Sequence, residues 1–209
     1  MRFNRLSGQA LRAAAFVSIA FAGLGLVADD KTPFTPKLAS AYPHKMTSEK
    51  VTISAEAFIT DDQAKIAFGK VNLWRFGVLP VLVVIQNDSP HALRVDRASF
   101  VYVLPDRSKV ESIPAAEVRF LQGPNQPNRM PGQAPPIKIM KGKQNPLAAW
   151  EIEGRAFAAK AIPPGQSASG FIYFSAPTTS DAASLYISGL INAVTGAELY
   201  YFDIGMSGQ

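Results

Sequence analysis

Cysteine is absent from this 209-residue chain, and histidine occurs only as His44 and His91. The first absence excludes a disulfide-stapled scaffold, thiolate zinc sites and lipid attachment through a cysteine. The scarcity of histidine removes most remaining metal-ligand sets. No GxSxG elbow, dinucleotide fingerprint or phosphate loop occurs, so hydrolysis, hydride transfer and nucleotide chemistry lack their usual motifs. Charge is also thin, at 18% of residues against 47% apolar. A chain this oily can bury a core and does not have the composition of a disordered one.

Long hydrophobic runs are missing as well, except at the start. Arg2, Arg5 and Arg12 precede "AAAFVSIAFAGLGLVA", residues 13–28, in which Ser18 is the sole polar side chain. That length suits the apolar region of a secretory signal better than a membrane span, which needs about 20 residues. Residues 1–28 are therefore expected to be a signal peptide, cut after Ala22 or Ala28, which makes the protein periplasmic or extracellular. Left uncut, the segment would hold the domain at a membrane. Its removal takes three arginines and no acid, so the formal charge falls from +5 to +2. Nucleic acid is not an expected partner, because the basic balance belongs largely to the signal and no series of stacking aromatics accompanies it.

The remainder reads as strands and turns. Residues 29–50 hold three prolines and no long periodic run, as an extended tether or strap would. In "VTISAEAFI", Val51, Ile53, Ala55, Ala57 and Ile59 share one side while Thr52, Ser54 and Glu56 share the other, the period of a half-buried strand. "DDQ" reads as a turn and "AKIAF" as a second short strand. In "VLPVLVVIQNDSPHALRVD", residues 78–96, Pro80 suits a strand's beginning or edge, and β-branched side chains dominate 81–85. Asp88, Ser89 and Pro90 make a turn, so this is strand and turn, not a membrane segment. "ASFVYVL" and "PDRSKVESI" continue the pattern, and Pro114 opens a helical turn through "AAEVRF". Asn145 can cap a helix with Pro146 in its first turn. "SASGFIYFSAP" is another strand, and "SLYISGLI–NAVTG–AELYYFDI" reads as a hairpin.

These short strands, without alternating long helices, predict an all-β fold. The expectation is an antiparallel immunoglobulin-like β-sandwich over residues 51–205, with a long loop and a short helical insertion. Several strands are oily on both sides, however. Leu79, Val81, Val83 and Ile85 oppose Val78, Leu82 and Val84, and a simple sandwich leaves one face of each strand wet. The second face needs cover, from residues 146–160 as a helix, from the loop or the leading tail, or from a partner protein.

Chemistry is sparse. Asp61 and Asp62, and the oxygen-rich "NDSPH", invite a calcium site, but neither has the ligand order of a calcium loop. Ser89 near His91 does not make a nucleophile by adjacency alone, and Glu151 with Glu153 does not make a glycosidase pair. Neither an enzyme nor a cofactor is expected. The long loop is richer: between Glu117 and Glu151 there is no acid, while Arg119, Arg129, Lys138, Lys141 and Lys143 supply five positive charges. This loop is the candidate partner-binding surface, for an envelope protein or an anionic cell surface; a solvated loop held open by its prolines is the plainer account. Tyr186, Tyr200 and Tyr201 are candidates for a carbohydrate platform, although strand alternation puts Tyr200 and Tyr201 on opposite faces.

The words "AFGKVNLWRFGVLPVLVVIQNDSPHALRVD", "IPPGQSASGFIYF" and "SGLINAVTGAELYYFDI" together resemble uncharacterised exported bacterial proteins with immunoglobulin-like sandwich domains. The resemblance implies an envelope location and noncatalytic binding or scaffolding, and it carries no residue roles. The leading expectation is an exported binding or scaffolding domain that contacts another envelope protein or an anionic surface. The alternative is a periplasmic or extracellular module that binds carbohydrate or another small ligand.

Overall fold

Two residues apart along a strand means the same face, and that alternation organises the structure. The computed structural model describes residues 34–69, 71–121, 145–175 and 182–206; the expected signal peptide, residues 1–28, lies outside them. In chain order the strands are β1 (Lys45–Ser48), β2 (Val51–Ala57), β3 (Leu79–Asn87), β4 (Leu93–Arg94), β5 (Ser99–Val103) and β6 (Lys109–Ile113). They continue with β7 (Ala161–Ile162), β8 (Gln166–Phe174), β9 (Ser184–Ser188), β10 (Ile191–Asn192) and β11 (Phe202–Gly205). Among the described residues three short α-helices interrupt them: α1 (Asp61–Phe68), α2 (Ala115–Val118) and α3 (Trp150–Gly154).

Eight strands form one antiparallel sheet in the order β1-β2-β3-β8-β6-β5-β9-β11, and β10-β4-β7 form a small second sheet. The terminal strands β1 and β11 run within 8 Å of each other, so the large sheet nearly closes on itself. The antiparallel β class holds. In place of two separate layers, the halves are joined through β6 and β8, which pair at Ser112–Phe174 and Ile113–Tyr173. Inside the roll lie Val51, Ile53 and Ala55 of β2, Val81, Val83 and Ile85 of β3, and side chains of β5, β9 and β11.

The other face of β3 is covered from within the chain. Val78, Leu82 and Val84 join Phe171 and Tyr173 of β8 under Ala67 and Phe68 of α1, Val118 of α2 and Ile152 of α3. Phe171 is the hub, with ring centroids of Phe34, Phe58 and Phe68 at 5.5, 5.0 and 4.7 Å. The Tyr173 hydroxyl donates to the Ile152 carbonyl at 2.7 Å, and its burial raises the phenol's pKa. Residues 34–50 carry Phe34, Ala39 and Tyr42 onto this outer layer before entering the sheet as β1.

Three local readings change. "AKIAF" is helical: Thr60 caps α1 and accepts from the Gln63 amide, while the Gln63 side chain returns to the Thr60 N–H. Ala64, Ala67 and Phe68 face the core and Ile66 faces solvent, a period of three to four, not two. The helix expected across 146–160 is shorter, a 3₁₀ turn at Pro146–Ala148 followed by α3, and Asn145 does cap the first of these by accepting from the Leu147 N–H at 3.0 Å. Finally, 184–191 is not one strand. Gly189 turns with φ +77°, where an added Cβ would collide with the Arg97 carbonyl, but the expected hairpin holds: β9 pairs antiparallel with β11, and beyond the break Ile191 bridges Glu198 in the same register.

Two positions hold the fold to close tolerances. At Gly170 the chain crosses in contact with the backbone of Ala156 and Phe157, and the Phe157 N–H donates to the Phe171 carbonyl at 3.0 Å. Asn87, fully buried, saturates its side chain: Nδ2 donates to the carbonyls of His91 and Ile162, both at 2.9 Å, and Oδ1 accepts from the Ser89 N–H at 3.1 Å and its hydroxyl at 2.6 Å. It thereby fastens the β3–β4 turn to β7.

Gly170→Ala is expected to cost about 2–3 kcal/mol, read as a fall in the urea midpoint. Asn87→Asp preserves shape but turns a carboxylate oxygen toward two carbonyls, so a loss of about 3 kcal/mol at pH 7 is expected. The same surroundings raise that carboxyl's pKa in the fold. Its deficit therefore shrinks as pH falls and protonation restores a donor, which parallel urea titrations at pH 7 and pH 4 would show. Glu49 and Lys50 form the two-residue β1–β2 turn with φ of 50° and 62°, a conformation that favours Asn-Gly. Glu49→Asn with Lys50→Gly should stabilise by about 1 kcal/mol, measured as a higher Tm.

Candidate functional site

Four chain reversals gather at one end of the roll. Lys50 of the β1–β2 turn accepts from the Asp88 N–H at 2.9 Å, the Ala92 carbonyl accepts from the Ala193 N–H at 2.9 Å, and the Leu199 N–H donates to Leu190 at 2.8 Å. These bonds tie the β1–β2 turn, the β3–β4 turn, the Gly189 turn and the approach to β11 into one surface. Loops collected at the mouth of a β-roll are a common setting for ligand sites.

That surface contains an open concavity of about 280 Å³, lined by Tyr186, Ser188, Glu198, Leu199, Tyr200 and Tyr201. Three of these side chains have a structural reason for being there. Leu185 and Ile187 of β9 point inward, so alternation sends Tyr186 outward. Tyr201 folds back against it with ring centroids 5.1 Å apart and planes 27° from parallel. Tyr200 is 76% exposed and Tyr201 52%, a large apolar area to leave wet without a partner. Glu198 is held in place through Oε1, which accepts from the Gly189 N–H at 2.8 Å. The alternation argument that separated Tyr200 from Tyr201 fails because β11 begins only at Phe202. The two residues before it are irregular, and both reach the same hollow.

Leu199, largely buried, also lines a second hollow, a crevice of about 20 Å³ formed with Glu49, Val51, Ser89, Ala92, Leu93 and Asn192. Among the described residues, neither the Glu49 carboxylate nor the Asn192 side-chain nitrogen has a hydrogen-bond partner; Asn192 Oδ1 is occupied by the N–H groups of Val194 and Thr195. No lysine or arginine lines either hollow.

The other candidates are placed differently. Of the basic loop, only Arg119 lies within the described residues; Arg129, Lys138, Lys141 and Lys143 lie outside them. Arg119 forms an ion pair with Glu153 of α3, and its carbonyl accepts from Asn145 Nδ2 at 2.7 Å, so the chain leaves and re-enters the domain at adjoining points. Asp61 and Asp62 are the first turn of α1. Hydrogen bonding from Asn72 and pairing with Arg75 hold the Asp61 carboxyl below the usual range. Ser89 serves the Asn87 network and meets His91 through its backbone carbonyl at 3.0 Å, not its imidazole. Among the described residues no group of three or more His, Asp or Glu side chains is arranged to hold a metal.

No protein-family model matches the chain, and no curated protein matches it. Two solved structures show distant similarity. One, described as a "putative lipoprotein (ycdA)" from Bacillus subtilis, is 10% identical with a TM-score of 0.35 over 77% of this chain; the match spans 38% of that longer protein. The other, a structural-genomics target designated SoR45, is also 10% identical, with a TM-score of 0.32 over 77% of this chain and 89% of its own.

Proposed function

We propose that this chain is a noncatalytic binding domain, exported by its N-terminal segment, that takes up a saccharide on the tyrosine-lined concavity. The observation that carries this reading is the convergence of Tyr186, Tyr200 and Tyr201 on one open hollow with Ser188 and Glu198. A sugar ring has an apolar face of C–H groups and a rim of hydroxyls. Exposed tyrosine rings match the first; a fixed carboxylate and a serine hydroxyl match the second. The hollow is shallow, as suits a chain binding along a surface more than a small molecule enclosed on all sides.

A second reading, contact with an acidic envelope protein or an anionic surface, draws support from the Asn145–Arg119 bond, which presents the ends of the basic loop side by side. Its signature is ionic: a basic segment against a negative surface binds less tightly as salt rises.

The two readings separate in one set of measurements. Binding of the mature protein to an array of neutral oligosaccharides is expected, with Tyr200→Ala weakening the best ligand at least tenfold, about 1.4 kcal/mol, at unchanged Tm. That binding should be nearly indifferent to salt. If no neutral saccharide binds, while vesicles containing anionic lipid bind in a salt-dependent way that neutralising Lys138, Lys141 and Lys143 abolishes, the basic loop carries the function instead.

A further inference from the structure

We infer that the ligand is an extended, non-acidic saccharide of at least two units, whose second unit passes over Leu199 and places a hydroxyl in the crevice at Glu49. This rests on the saccharide reading of the concavity and deepens it. Three observations lead to it.

Leu199 lines both hollows, so the tyrosine concavity and the crevice are neighbours with a common wall. Their sizes differ in a useful way. The concavity, at about 280 Å³, has room to seat a sugar ring, whereas the crevice, at about 20 Å³, holds no more than a single small polar group. One ring on the tyrosines with a hydroxyl of the next unit in the crevice fits both.

The crevice also has unspent hydrogen-bonding capacity of the right kind. Glu49 offers acceptor oxygens for hydroxyl donors, and the Asn192 nitrogen offers a donor to a hydroxyl or ring oxygen; both lack partners among the described residues. With Glu49 at one end and Glu198 at the other, and no lysine or arginine in either lining, uronic acids and phosphorylated sugars meet like charge.

The third observation is backbone conformation. Glu49 sits at φ 50° in a turn that Asn-Gly would form with less strain. A residue kept in an unfavourable conformation at a rim invites a functional reading of its side chain, and Glu49 is one of the residues that line the crevice.

Titration calorimetry on the mature protein tests this with glucose and N-acetylglucosamine oligomers of one to four units, and with galacturonate oligomers of the same lengths. In at least one neutral series affinity should rise tenfold or more between one unit and the longer members, and the galacturonate series should bind at least tenfold more weakly. Glu49→Gln should remove most of the gain with length and leave the single sugar within twofold, whereas Tyr200→Ala should weaken every length. Equal Tm values confirm that both variants are folded. Binding that depends on Tyr200 but is the same at every length and indifferent to Glu49 overturns this inference alone. Failure of both neutral series to bind overturns it together with the saccharide reading beneath it.

Discussion

The architecture depends on β3 having to be dry on both faces. Seven of its nine residues are apolar, and each buried aliphatic side chain is worth about 1.5–3 kcal/mol only while it stays out of water. A flat sheet with one wet face cannot satisfy it. The chain answers by rolling the sheet around the inner set, Val81, Val83 and Ile85, and by laying α1, α2, α3 and the Phe34–Tyr42 segment over the outer set. The helices are short because their task is cover. Phe171 on β8 gathers the aromatic rings that hold this cover down, and the Tyr173 hydroxyl fixes α3 to it.

With the roll nearly closed on its long sides, variation is left to its ends. At the end described above, irregular chain lies on a rigid base: Asn87 locks the β3–β4 turn from below, and Gly189 admits a turn that no residue with a Cβ could make without displacing Arg97. Glu198 secures that turn from the surface. The hollow therefore rests on Asn87 and Gly189, which do not line it, and is braced by Glu198, which does; such support is how a shallow site keeps a defined shape.

Much of this architecture was legible in the residues. Period-two alternation identified β2, and opposed apolar sets on β3 forecast both an inner core and a covered outer face. Asn145 and Pro146 marked a helical start. What escaped had physical causes. Ala64, Ile66 and Phe68 alternate like a strand, yet Thr60 and Gln63 close a capping box around the same segment, and the helix wins because Ala64, Ala67 and Phe68 then share a face. The tyrosine site was hidden by an alternation rule applied to Tyr200 and Tyr201, which precede the strand. The joining of the two halves through β6 and β8 pairs residues some sixty positions apart, and nothing local encodes it. Nor does any one segment show that Glu49, Ser89 and Asn192 become neighbours.

The approach of β1 to β11 bears on how the molecule behaves in a crowded compartment. A sheet of eight strands ordinarily offers two unpaired margins to which a stray chain can add, the first step toward fibrous deposits. Here those margins are four-residue strands lying beside each other, so each obstructs the approach to its counterpart. An incoming strand must first prise them apart. A domain rich in β-branched residues thus shields its sheet margins by geometry, without a thick belt of surface charge.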